Sequence, residues 1–257
     1  MMRAEEKVTV SPVRLEAAGL HYRELNARIR EAVKEGARAL EVAGVNGQRY
    51  IADGLSGDVR LDIYGVPGND LGAFMDGPTV VVHNNAQDAV GNTMNRGKIV
   101  IHGDGGDVLG YGLRGGALYV RGRVGYRVGI HMKAFKRQAP VLIVGGAAGD
   151  FFGEYMAGGV LIALGLDRWP GEPIIGQYCA TGLHGGTIYL RGQPPAGAVA
   201  EKQVSLEPAT DDDRALLQGH LQDFCTEFGL ALAAVLEEPF WRLRPASHRP
   251  YGSKYAP

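Results

Sequence analysis

The stretch GYGLRGG carries the G-x-G-x-x-G spacing of a dinucleotide-binding loop at Gly110, Gly112 and Gly115. That chemistry needs a strand before the loop and a helix after it, so that helix amides face a pyrophosphate. The residues that follow, ALYVRG, are β-branched and aromatic and have no helical period. The context fails, and these glycines need another cause.

Other residues have types suited to chemistry. His83 and His102 recur 19 residues apart, so their rings would stack if that interval is a structural repeat. Two close imidazoles suit zinc, but the flanking equivalents are Tyr64 and Arg121, so a third ligand is missing and a solvated ladder is the simpler reading. Asp88, Asp107 and Asp150 each stand three residues before a glycine. Stacked carboxylates could hold a cation or act as an acid–base pair. Their periodic placement favours accepting turn amides instead. The stretch RGRVGYRVGIHMKAFKR supplies Arg121, Arg123, Arg127, Lys133, Lys136 and Arg137, with His131, Tyr126 and Phe135 among them. It reads as a docking edge for an acidic partner surface. Cys179, inside GQYCATG, reads as packed rather than reactive. No nucleophile elbow, P-loop, CxxC or HExxH occurs, so no catalytic residue and no metal ligand is assigned.

The glycines that surround these residues define the elements that must position them. Gly72, Gly91, Gly110 and Gly129 are spaced by 19 residues, each preceded by Leu or Val and followed three residues later by Met or Leu. Gly153 continues the series at a longer interval. Gly65, Gly103 and Gly122 keep a second register, and each closes a short strand such as KIVIHG or ALYVRG. A period near 20 residues built of short strands and glycine turns predicts a parallel β-helix of about seven coils, roughly 35 Å long at the strand spacing. Alternation places Leu61, Ile63, Val80, Val82, Ile99, Ile101, Leu118 and Val120 inside. It turns Arg60, Asp62, Tyr64, His83, Lys98, His102, Tyr119 and Arg121 outward.

The expected organisation is an N-terminal arm over residues 1–56, the β-helix over 57–192, and a linker, helix and docking tail over 193–257. The arm should carry an amphipathic helix with Leu25, Ile29, Val33, Ala37 and Leu40 on one face. Asp211 to Asp213 should cap a second helix running through Leu217, Leu221, Phe224 and Phe228. These flanking helices should cover an end or a side of the all-β core. The last stretch, FWRLRPASHRPYGSKYAP, is too proline-rich for a regular element. The 257 residues carry 27 basic and 28 acidic side chains, which gives no field for nucleic acid or an anionic membrane. Two cysteines suit a reducing compartment, and MMRAEEKVTV has no apolar signal core, so a cytoplasmic protein is expected.

NTMNRGKIVIHGDGGDVLGYGLRGGALYVRGRVGYRVGIHM followed by GGAAGDFFGEYMAGGVLIALG resembles the GXGXG domain. That domain is the C-terminal right-handed β-helix of the glutamate synthase large subunit. GLHGGTIYLRG and RPYG resemble its stand-alone version, and one subunit of formylmethanofuran dehydrogenase is a relative of similar design. The resemblance implies a non-catalytic structural subunit that scaffolds a glutaminase-domain subunit and an FMN-binding synthase subunit, in glutamate or N-methylglutamate formation. FMN and an iron–sulfur cluster would sit in those partners and no cofactor in this chain. Met1-Met2-Arg3 offers no cysteine nucleophile, and two distant cysteines are too few to anchor a cluster. The alternative is the corresponding component of a formylmethanofuran dehydrogenase or formyltransferase/hydrolase complex. A homo-oligomer is compatible with either. A β-helix transferase is the weaker rival, because hexapeptide repeats give coils of 18 residues.

Overall fold

A computed structural model describes residues 11–200 and 202–246. One sheet of 11 strands runs through it in the order β1-β2-β3-β4-β5-β6-β7-β8-β9-β11-β10. The strands are β1 (Val13–Glu16), β2 (Ala39–Asn46), β3 (Arg60–Val66), β4 (Asp76–Val82), β5 (Arg96–Ile101), β6 (Ala117–Val120), β7 (Val141–Val144), β8 (Ala157–Ala163), β9 (Gly185–Arg191), β10 (Val204–Pro208) and β11 (Phe240–Pro245). Strands β1 to β9 pair in parallel, each with the next in sequence. Only a coil that returns to the same side each turn can do this, so the chain is a β-solenoid. Its turns number about six rather than seven. The seven strands β3 to β9 are joined by six crossings, whereas the repeats count strands.

Side-chain alternation builds the interior. Leu61, Val80, Ile99, Leu118, Leu142, Leu161 and Ile188 are register partners in consecutive strands, and all are fully buried. Each contributes about 1.5–3 kcal/mol by leaving water. Because equivalent rows stack at one strand spacing, a wrong residue in one coil is felt by both neighbours.

The opposite face of the sheet is not simply solvated. Val81, Val100, Tyr119, Ile143, Ile162 and Tyr189 form a second core with Leu217, Leu221 and Phe224 of helix α2 (Asp211–Phe228). Tyr119 does point outward from the coil, but it is buried beneath Phe224, with ring centroids 5.7 Å apart. The sequence signal was present: VVV, IVI and VLIV are apolar at both alternating positions, as strands covered on two faces must be. The α2 cap also differs from expectation. Thr210 is the N-cap and closes a capping box with Asp213.

Helix α1 (Tyr22–Lys34) is shorter than its apolar pattern suggested. Its Leu25 and Ile29 join the main core at the N-terminal end, but Gly36 turns the chain at φ 105° and Leu40 belongs to β2. The arm therefore adds two parallel strands to the sheet, with α1 in the crossing between them. Helix α3 (Leu232–Leu236) leads into β11, which pairs antiparallel with β9 and β10. Residues 240–245 thus form a regular strand despite the prolines that follow, because Phe240 and Leu243 are buried. The RPYG segment lies outside the described residues. Among the described residues no helix is long and apolar enough to cross a membrane.

Candidate functional site

Positions along each coil are fixed by its corner. Gly72, Gly91, Gly110, Gly129 and Gly153 have φ between 67° and 76°, the left-handed region that L side chains rarely adopt. At Gly110 a Cβ would also stand 2.5 Å from Leu142 Cδ1 of the coil after next. Ala52 (φ 60°) and Ala180 (φ 62°) occupy the equivalent corner in the first and last turns, and the glycine spacing gave no hint of them. The G-x-G-x-x-G letters are therefore coil geometry: ALYV is strand β6, and no helix follows the loop.

The aspartates work between coils. Asp88 accepts the Asp107 N–H at 2.9 Å, Asp107 accepts the Tyr126 N–H at 2.8 Å, and Asp150 accepts the Gln177 N–H at 2.7 Å. A second column, missed in the sequence, runs from Asn85 to Asp104 (2.8 Å) and from Asp104 to Arg123 (2.7 Å). Each side-chain oxygen satisfies a turn amide of the next coil, which is turn chemistry extended across the stack.

The histidine ladder exists. His83 stacks on Tyr64 at 4.5 Å and on His102 at 5.3 Å. His83 Nε2 donates to Asp62 at 2.9 Å, and burial followed by its neighbour His83 pushes the His102 imidazole down. Among the described residues no three His, Cys, Asp or Glu side chains come together as a metal site. Cys179 is fully buried, and that burial pushes its thiol up to about 12. A thiol so held is a packing group, because the thiolate is the nucleophile.

The basic stretch divides into two. Arg121 pairs with Asp167, Arg123 with Glu172, and Arg127 with Glu154 at 2.9 Å. Asp167 and Glu172 belong to a loop inserted after β8, and that loop also lays Trp169 on the Arg123 guanidinium at 3.9 Å. Lys133, Lys136 and Arg137 have no ion-pair partner among the described residues. All three are exposed: Lys133 keeps the coil register, its N–H donating to Leu113 O, and Lys136 and Arg137 lie in an inserted loop before β7 pinned by a Phe135–Gln138 bridge. The longer corner intervals of 24 and 27 residues after Gly129 and Gly153 come from these two insertions. The structure does not bring the six basic residues to one point: three are neutralised within the chain, and three project.

The sequence profile of the GXGXG motif family matches residues 22–246. An uncharacterized protein of Methanocaldococcus jannaschii, MJ1350, is 46% identical over 267 residues, spanning 100% of this chain and 99% of that protein. Ferredoxin-dependent glutamate synthase 2 of Synechocystis is 28% identical over 227 residues, which cover 81% of this chain and 14% of the synthase. Among solved structures, a chain of the formyltransferase/hydrolase complex FhcABCD of Methylorubrum extorquens, crystallised with methylofuran, superposes with a TM-score of 0.62. That match covers 91% of both chains at 22% identity, a likeness of fold.

Proposed function

The chain belongs to the GXGXG motif family, and from that premise we propose that it is the β-helical scaffold subunit of a multi-subunit enzyme complex. The observation that carries this reading is the extent of the structural likeness. The similar chain in the formyltransferase/hydrolase complex is matched over 91% of its length and covers 91% of this one, so the fold fills a chain of its own there rather than a part of a larger one. The chemistry within the chain agrees with a scaffold. Its repeated carboxylates hold turn amides, its thiol at position 179 is sealed in the core, and its corner glycines shape the coil.

Within this reading a formyl-transfer complex is the better supported setting, because there the unit stands as a chain of its own. A glutamate-synthase-like complex is the second reading, and the 28% identity to the Synechocystis enzyme favours it. In that case the partners would be a glutaminase-domain subunit and an FMN-binding synthase subunit, with FMN and an iron–sulfur cluster held there and none in this chain. Lys133, Lys136 and Arg137 are the members of the basic edge available for docking.

Native purification of the chain from its own cells, followed by mass spectrometry of co-eluting proteins, tests the reading. Stoichiometric formyltransferase or hydrolase subunits support the first setting, and flavin and glutaminase proteins support the second. A chain that elutes alone and turns over substrate by itself would overturn both.

A further inference from the structure

An open groove of about 420 Å³ runs along the coil edges between Thr93 and His184. Two repeat positions build it. His131 and Tyr155 stand two residues after their corners, while Arg114, Lys133 and His184 stand four after theirs. Coil stacking therefore sets Arg114 and Lys133 one strand spacing apart, about 4.8 Å along the backbone. The His131 ring lies flat against Tyr155 at 5.4 Å, and Tyr111 meets it edge-on at 5.8 Å. His184 donates from Nδ1 to the Gly182 carbonyl at 2.8 Å, which holds its ring in place beside the groove.

Among the described residues no carboxylate lines this groove. Neither Arg114 nor Lys133 has an ion-pair partner among them, unlike Arg121, Arg123 and Arg127 on the neighbouring edge. The turn amides give no phosphate cradle. Gly112 N–H donates to Ile130 O, His131 N–H to Glu154 O and Gly182 N–H to the Gln203 side chain. Phosphate sites at loops use free amides of that kind. Nucleic acid would need a far broader basic face than a chain of formal net charge −1 provides. What remains is a short row of side-chain cations beside an aromatic platform, complementary to carboxylates interleaved with apolar side chains.

We propose that this groove binds an acidic, aromatic-containing segment of a partner polypeptide, with its carboxylates on Arg114 and Lys133 and an apolar side chain on the His131–Tyr155 stack. The proposal rests on the scaffold reading and names the surface and the chemistry through which one partner is held. Aromatic and Arg anchors are the residue types that carry interface energy.

The test uses the full chain and a fluorescein-labelled octapeptide of alternating Asp and Phe, read by fluorescence anisotropy. The same peptide with Asn for Asp and a single-stranded octanucleotide serve as comparison probes. Saturable binding of the acidic peptide is expected, weakened about tenfold or more in the Arg114→Glu/Lys133→Glu variant and by added salt. Tyr155→Ala should weaken it as well, and thermal melting should confirm that all variants stay folded. Should the variants misfold, Arg114→Gln/Lys133→Gln serves in their place. Equal binding of the Asn peptide, tighter binding of the oligonucleotide, or undiminished binding by a folded variant overturns the proposal. Native co-elution separates the two levels. A parent chain that assembles with its subunits but ignores the acidic peptide removes only this proposal, whereas a parent that assembles with nothing removes the scaffold reading beneath it.

Discussion

Tyr189 on the outer face of β9 donates its hydroxyl to Asp213 Oδ1 of α2 at 2.7 Å, in a site closed to solvent. Asp213 also accepts from the Thr210 N–H at 2.8 Å and from Arg242 at 2.7 Å, so one carboxylate joins the sheet, the helix cap and strand β11. Burial opposes its charge, but Thr210, Tyr189 and Arg242 outweigh that and hold its carboxyl down to about 2.

The first prediction follows from that depressed value. A carboxyl lowered from 3.8 to about 2 adds stability that is fully present above pH 4 and is lost as pH falls through 2. The linkage is worth roughly 2 kcal/mol. Asp213→Asn should lower the Tm at neutral pH, and its deficit against the parent should shrink as pH approaches 2. Parallel melting curves for the two proteins between pH 7 and pH 2 would contradict this role.

The interior ladder gives the second prediction. Ile99 is fully buried between Val80 and Leu118. Ile99→Asp places an unpaired carboxylate there and should destabilise by at least about 4 kcal/mol. Ile99→Val should lose only about 1 kcal/mol. Urea titration distinguishes them, and a near-parental midpoint for the aspartate variant would show the register to be wrong.

The corners supply a third. Gly110 has φ 68° and abuts Leu142. Gly110→Val should reduce stability by about 2 kcal/mol or more, since a β-branched residue combines left-handed strain with the clash. The loss should be the same with or without added NAD. Calorimetry showing NAD binding that disappears in this variant would return the loop to dinucleotide chemistry.

The aspartate columns give the fourth. Asp107→Ala leaves the Tyr126 N–H, at the exposed surface, to water and should lose about 0.5–1.5 kcal/mol, while Asp107→Asn keeps an oxygen in place and should lose less. Gly125→Ala should be as harmful as the alanine at 107, because its Cβ collides with the Asp107 carboxylate. Amide hydrogen exchange at Tyr126 reads the bond directly. Unchanged protection in Asp107→Ala would refute the inter-coil role.

Much of the architecture can be read in the chain because a solenoid writes its period into the sequence. The 19-residue glycine interval and the alternation of Leu61, Val80, Ile99 and Leu118 with their outward neighbours are local rules repeated coil by coil. The resemblance of those repeats to the GXGXG family is carried by the same residues. Asp88, Asp107 and Asp150 were legible for the same reason.

Contacts between elements far apart in the chain were not legible. Nothing local in Arg123 states that Glu172, 49 residues later, neutralises it, or that Trp169 covers its guanidinium. The burial of Tyr119 required α2, which begins more than 90 residues downstream, to fold back across the sheet. The sequence by itself determined the coil, its inward rows and its corners, because each depends on residues within one repeat and its neighbours. Only the tertiary structure decided which basic side chains remain free, which outward face is covered, and where Arg114, Lys133, His131 and Tyr155 meet, because charge pairing and burial depend on distance in space.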